Sequence, residues 1–335
     1  MVFVTGGTGL LGARLIFDLV SSGNQVRALK RSTSDLSVVQ DVFKQNGQSI
    51  GQIEWVDGDV MDYYSLLDGL QDVDEVYHCA AMVSFNPKAK DAMMKINVEG
   101  TANLVNACVE MGIRKLCYAS SVAAIGHVTN DSMITEKIDW KTSAGKSNYS
   151  ISKYQSEQEV WRGIEEGLDA VIVNPSIIIG PGQWKRSSAR MFLDVNRGMK
   201  YYTSGINGFV DVRDVTESMI RLMESDIVSE RYIINGENLA FKEVFDGIAD
   251  ALKKKRPTIK VQQWMLEVLW RVDKARTLIT RGKPVISKEI AREANNISKY
   301  SNQKINEAIK LNFTPIKQSI KDTAEVFINQ ELNSQ

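Results

Sequence analysis

Met1-Val2-Phe3-Val4 is a short apolar run, and Thr5-Gly6-Gly7-Thr8-Gly9-Leu10-Leu11-Gly12 follows it without a spacer. The run is long enough for one buried parallel strand. Ala13 to Val20 then reads as a helix that Gly23 and Asn24 stop. Glycine at 6, 9 and 12 suits a backbone turning sharply beneath a pyrophosphate, with free amides at the helix start facing the anion. A strand, this turn and an amphipathic helix in direct succession predict a nucleotide site in an open α/β sheet.

The second strand, Gln25-Val26-Arg27-Ala28-Leu29, should end where an adenosine ribose lies. NAD sites usually place an acidic side chain there. This chain offers Lys30, Arg31 and Ser32 instead, so NADP(H) is favoured, with NAD(H) still open because Asp35 could reach back. Gln52 to Val56 reads as a third strand with Asp57-Gly58-Asp59-Val60 as its exit, and Ser65 to Leu70 as a helix. Val73 to Ala81 reads as a fourth strand ending in the small residues Ala80 and Ala81, beside which ribose and phosphate could lie close to the backbone. His78 and Cys79 are expected to be buried strand residues, since no partner is placed to activate them.

Composition removes several classes of function. Lysine plus arginine equals aspartate plus glutamate, 41 each, leaving no basic field for nucleic acid or an anionic membrane. Three cysteines without CxxC spacing and two histidines argue against a disulfide framework and against a metal site, and fit a reducing cytoplasm. No basic region with a long apolar run follows Met1, and no stretch of about 18 apolar residues occurs, so neither a signal peptide nor a spanning helix is expected.

Ser147-Asn148-Tyr149-Ser150-Ile151-Ser152-Lys153 sets a phenol and an ammonium four residues apart, on one face of a helix. A cation there favours the phenolate and makes Tyr149 a competent acid or base for a carbonyl oxygen. Upstream, Asn97 to Thr101 opens a helix, and the strand Lys115 to Ala119 delivers Ser120 and Ser121 to its C-terminal end, where open α/β sheets bind ligands.

In order along the chain, TGGTGLLG, the GDV turn, HCAA, NVEGT, YASSVAAIG, YSISK, NPSIIIGPG and FVDVRDV resemble the extended short-chain dehydrogenases/reductases, in particular the dihydroflavonol reductase-like and hydroxysteroid dehydrogenase-like branch. The resemblance implies an α/β, Rossmann-type doubly wound parallel sheet with a smaller, mostly helical C-terminal substrate-binding region. It implies a nucleotide-binding part over 1–175 and a substrate part over 176–335, with about 209–235 returning to the first. It implies Ser121 as catalytic serine, Tyr149 as acid/base and Lys153 as the lysine that holds the nicotinamide ribose, with Ser120 as the alternative serine. Cofactor contacts are implied at Thr5, Gly6, Gly9, Leu10, Leu11, Gly12, Asp59, Val60, Asn174, Pro175 and Ser176. Asn97 is expected as a structural asparagine or a participant in proton movement. The implied reaction is hydride transfer from NADPH to a carbonyl carbon, with Tyr149 protonating the oxygen and Ser121 donating a hydrogen bond to it.

Ala170 to Val173 reads as a strand, Ile177 to Gly182 as a turn running along the nicotinamide, and Phe209 to Val215 as the start of a helix. Trp184 to Gly208 has no clear period and matches the family's substrate lid. Val83, Ser84, Trp184, Tyr201 and Arg213 are candidate substrate contacts, and Asp214 a structural charge at a helix start. Lys253 to Arg256 reads as a solvated helix end, and Trp264 to Trp270 as an apolar run that could be core, a subunit contact or an interfacial membrane face, with core the default. A nucleotide-sugar epimerase using NAD is the runner-up; dehydration is disfavoured because Val122 and Ala123 stand where sugar dehydratases carry an Asp-Glu pair. A non-catalytic redox sensor is a third reading. The expected partner is a small-molecule carbonyl or alcohol, and a homodimer is left open.

Overall fold

The computed structural model describes residues 1–84, 86–126, 132–143, 145–280 and 295–332. β1 (Val2–Thr5) is buried along its whole length and runs one residue past the apolar run, because the Thr5 hydroxyl finds the His78 ring inside the sheet at 2.6 Å. α1 (Leu10–Ser21) begins as soon as the glycine turn ends, burying Leu15, Ile16 and Leu19. The pattern repeats through β2 (Val26–Lys30), α2 (Ser37–Gln45), β3 (Ile53–Asp57), α3 (Tyr63–Gly69) and β4 (Glu75–His78). α3 starts where the Asp62 carboxylate accepts from the amides of Tyr64 and Ser65. β4 ends at His78, short of the expected Ala81, since the chain there must pass against Gly6.

α4 (Lys90–Met94) runs through a π-helical turn, Lys95–Glu99, straight into α5 (Gly100–Glu110). Asn97 therefore lies inside a continuous helix rather than at its start. β5 (Lys115–Ala119), α6 (Asn148–Glu165) and β6 (Ala170–Pro175) complete the central layer. After β6 come β7 (Ile177–Ile179), α7 (Arg190–Asn196), β8 (Tyr201–Tyr202), β9 (Ile206–Asp211), α8 (Val212–Glu224), β10 (Glu230–Ile234) and β11 (Glu237–Ala240). The chain then forms α9 (Phe241–Ala251), β12 (Ile259–Lys260), α10 (Gln263–Thr280), α11 (Gln303–Ile309) and α12 (Ile316–Leu332).

Seven strands form one sheet in the order β10-β6-β5-β4-β1-β2-β3, with every pairing parallel. Parallel strands need cover on both faces. α1, α2 and α8 supply apolar side chains to one face, and α3, α5 and α6 to the other. The fold is Rossmann-like, and its strand order reverses between β1 and β4, which opens a crevice at the C-terminal strand ends. β10 joins the sheet beside β6 after the excursion through β7 to β9. A third core, around Ile179, Phe192, Phe209, Ile248, Ile316 and Phe327, holds α7, α9 and α12 together.

Two expected elements differ. Ile177–Ile179 is not part of a turn but pairs in parallel with Phe209–Asp211. Phe209 and Val210 accordingly belong to a strand, both fully buried, and the helix waits until Val212, where the Asp211 carboxylate caps the Arg213 amide at 2.7 Å. Among the described residues no helix is long and apolar enough to cross a membrane, and no cluster of metal-ligating side chains occurs.

Candidate active site

Gly6 takes a left-handed backbone, φ 71°, and a Cβ added there would lie 2.5 Å from the Ala80 nitrogen. One added at Gly12 would lie 2.3 Å from the Gly6 carbonyl oxygen. These two positions let the turn fold onto itself and onto the end of β4. Gly9 is different. It is the N-cap of α1, offers no side-chain cap, and an added Cβ would meet only the Gly6 oxygen at 3.4 Å, an ordinary contact. The protein thus leaves open the space over the first turn of α1, where no acidic residue stands. That bare helix start, with the Leu10 and Leu11 backbone beside it, fits a diphosphate. Gly182 comes over the same point, its added Cβ reaching the Leu10 side chain at 3.1 Å.

Along the same edge, the Asp59 carboxylate accepts from the Met61 amide, and Val60 packs against Gly100. Ala80 is half-buried and Ala81 exposed. Asn174 and Pro175 lie buried at the end of β6, while Ser176 is tied to β10 through its amide and the Ile234 carbonyl at 3.0 Å.

α6 opens at Ser147, whose hydroxyl accepts from the Ser150 amide at 3.0 Å. Tyr149 is half-buried on its first turn and Lys153, 1% exposed, follows one turn later. The Lys153 ammonium donates to the Ala119 carbonyl at 2.8 Å and to the Tyr118 hydroxyl at 2.9 Å. Burial holds this lysine below the usual range, opposed first by Tyr149 and then by Glu157. His78 bridges Thr5 and Thr101 through its two ring nitrogens; burial, then the Lys153 charge, push it down to about 3, so it is neutral near pH 7. Lys153 therefore sits at the end of β5, the neighbour of β4, after which the Cys79–Ala80 step packs on Gly6.

The two serines part company. Ser120 is buried and donates to the Glu157 carboxylate at 2.7 Å. Ser121 is half-buried in extended backbone, and its hydroxyl oxygen accepts from the Ala123 amide at 3.1 Å, keeping its own proton available. Asn97 joins the loop after β4 to α6: its side chain exchanges hydrogen bonds with the Met82 backbone at 2.7 and 3.0 Å and donates to Ser152.

At the end of β2, Lys30 is paired with Asp57, its cross-strand neighbour, at 2.5 Å. Arg31 is exposed, and its guanidinium has no partner among the described residues. Asp35 turns away, accepting from the Ser37 amide and from Gln183.

The candidate substrate residues are not brought together. Trp184 bonds Gln330 and packs edge-on to Phe192 and Phe327 in the third core. Tyr201 is exposed on β8, which pairs with β12. Arg213 is committed to Asp211 and to Asp322 of α12. Val83 is exposed, and the Ser84 hydroxyl accepts from the Asn86 amide. Sequence reasoning missed Glu157, fully buried and ion-paired with Arg231 at 3.0 Å. Its spacing held the signal: positions 149, 153 and 157 share one helix face.

A family model described as the NAD dependent epimerase/dehydratase family matches residues 2–235. A putative dihydroflavonol 4-reductase of Synechocystis sp. is 30% identical over 335 residues, covering 98% of this chain and 94% of its own length. Sterol demethylase protein B of Methylococcus capsulatus is 30% identical over 268 residues, 79% of this chain and 78% of that protein. The crystal structure of gox2253 superposes with a TM-score of 0.83 at 30% identity, covering 98% of each chain.

Proposed function

This chain belongs to the NAD dependent epimerase/dehydratase family and is an NAD(P)-dependent oxidoreductase, and from that premise we propose that it uses NADP(H) to reduce an aldehyde or ketone of dihydroflavonol- or steroid-like shape to an alcohol. The supporting observation is the buried Lys153 ammonium, held on the Ala119 carbonyl where the Tyr149 helix meets the strand leading to Ser121. Gly6, Gly9, Gly12 and the start of α1 would hold the diphosphate, Lys153 the nicotinamide ribose and Arg31 the 2′-phosphate. When bound, the reduced nicotinamide supplies the hydride that converts C=O to CH–O⁻.

Tyr149 gives its phenolic proton to that oxygen as charge develops, completing the alcohol. Ser121, its hydroxyl proton not spent on the Ala123 amide, donates a hydrogen bond to the same oxygen. Lys153, one turn along the same helix face, would hold the nicotinamide ribose alongside Tyr149 at the reacting end of the site. His78 takes no part, being neutral and occupied on both nitrogens. With Val122 and Ala123 after the serine, no carboxylate follows it to draw a second proton, as a dehydration would require. The unpaired cysteines suit the reducing cytoplasm we assign.

NADPH absorbance followed across a panel of aldehydes, ketones and hydroxysteroids tests this function. Stoichiometric loss of NADPH with formation of an alcohol is the expected result. Interconversion of a sugar nucleotide, with no carbonyl of the panel consuming NADPH, would make the chain an epimerase instead.

A further inference from the structure

Glu157 lies two turns beyond Tyr149 on α6 and is fully buried. Its Oε2 accepts from the Ser120 hydroxyl at 2.7 Å and from Asn174 Nδ2 at 2.9 Å. Its Oε1 accepts from Arg231 of β10 at 3.0 Å. Asn174 spends its second amide hydrogen on the Ser121 carbonyl at 3.0 Å. Both of its hydrogens are thus used, and turning the amide over would set oxygen against a carboxylate and a carbonyl. The Asn174 Oδ1 is left buried without a partner among the described residues, a cost accepted in keeping this orientation. Arg231 also donates to the Glu136 carbonyl, while the Glu136 carboxylate accepts from the Ile233 amide.

One carboxylate therefore grips the 120–121 segment twice, once by the Ser120 side chain and once through Asn174 on the Ser121 carbonyl. It does so from the same helix that carries Tyr149. Fixing both on one helix fixes the distance between the two groups that must meet the substrate oxygen. We propose that Glu157 is a positioning residue that sets the Ser121 hydroxyl against Tyr149, a role resting on the carbonyl reduction proposed above. Arg231 neutralises its buried charge and ties the arrangement to β10, and Ser120 serves Glu157 rather than the substrate.

The test compares two double variants, made in the wild-type and in the Ser121→Ala background. Glu157→Leu/Arg231→Met removes the acceptor without stranding a buried cation. Glu157→Gln/Arg231→Met keeps an oxygen for Ser120 and Asn174. Melting temperature and NADPH affinity, read by cofactor fluorescence, accompany each. With Ser121 present, the Leu/Met pair should lower kcat by about 10- to 100-fold at unchanged NADPH affinity, as expected of a group displaced by a fraction of an ångström to one ångström. The Gln/Met pair should restore kcat to within about threefold of wild type, because the acceptor is back. With Ser121→Ala, the Leu/Met pair should cost less than about twofold more, since no hydroxyl is left to position. Equal losses in both backgrounds, or no rescue by glutamine, would overturn the role. Failure of the wild-type enzyme to turn over any carbonyl would overturn carbonyl reduction itself, and this role with it.

Discussion

On the NADP(H) reading proposed above, Arg31 is the residue on which cofactor choice would turn. The sequence shows two cations after β2, but it does not show that Asp57 comes alongside Lys30 from the neighbouring strand. That register is a property of the sheet, unreadable from either strand alone. Lys30 is already paired and Asp35 is turned toward Ser37 and Gln183, so on that reading Arg31 is the charge proposed for a 2′-phosphate. Arg31→Ala should raise KM for NADPH by about 10-fold or more, the worth of a charge-assisted hydrogen bond, and leave KM for NADH nearly unchanged. Equal effects on both cofactors in steady-state kinetics would separate Arg31 from the phosphate. The resemblance left Ser120 and Ser121 as alternatives, and local sequence could not divide them, because Ser120's partner lies 37 positions away on α6.

At the scale of elements, most strands and helices of the nucleotide-binding layer were legible, since apolar runs alternate there with amphipathic stretches. β7 and β9 were not: they pair with each other outside the central sheet, β9 also with β11 and through a single bridge with Ile297, and none of these partners is near in sequence. α8 shows how such an element is tied in. Asp214, on its first turn and 3% exposed, accepts from the Thr314 amide at 2.8 Å and hydroxyl at 2.9 Å, joining α8 to the segment before α12. Burial raises its carboxyl to about 6 in spite of those bonds. Unfolded, the same group titrates near 3.9, so between about pH 4 and pH 6 the folded chain holds the extra proton. Stability should therefore fall as pH rises through that window, by up to about 3 kcal/mol from this group. Asp214→Asn should remove that part of the slope in urea melts taken at pH 4, 5 and 6. A slope unchanged by the substitution would assign it to other groups.

For the whole molecule, seven parallel strands reversing order at β1 and β4 bring the glycine turn, Lys153 and Ser121 to one edge, although they are far apart in sequence. Residues expected to hold a dinucleotide could be named from the sequence because each belongs to a local feature: a turn, a strand end, one helix face. Residues expected to touch substrate have no such local pattern. Trp184 bonds Gln330 and Arg213 pairs with Asp322, both on α12, while the Tyr201 side chain is exposed on β8, so the three are not gathered at one place. The apolar run on α10 likewise divides, with Leu266 buried against Val261 while Trp264 and Val268 are exposed.

The most direct measurement compares Tyr149→Phe with the wild-type enzyme, in single-turnover reduction of a carbonyl by NADPH with cofactor affinity measured alongside. The phenyl ring keeps the shape and loses the transferable proton, so the rate should fall by about 10²- to 10⁴-fold with NADPH bound nearly as tightly. A phenylalanine enzyme that reduces the carbonyl at close to the wild-type rate would show that the proton comes from elsewhere.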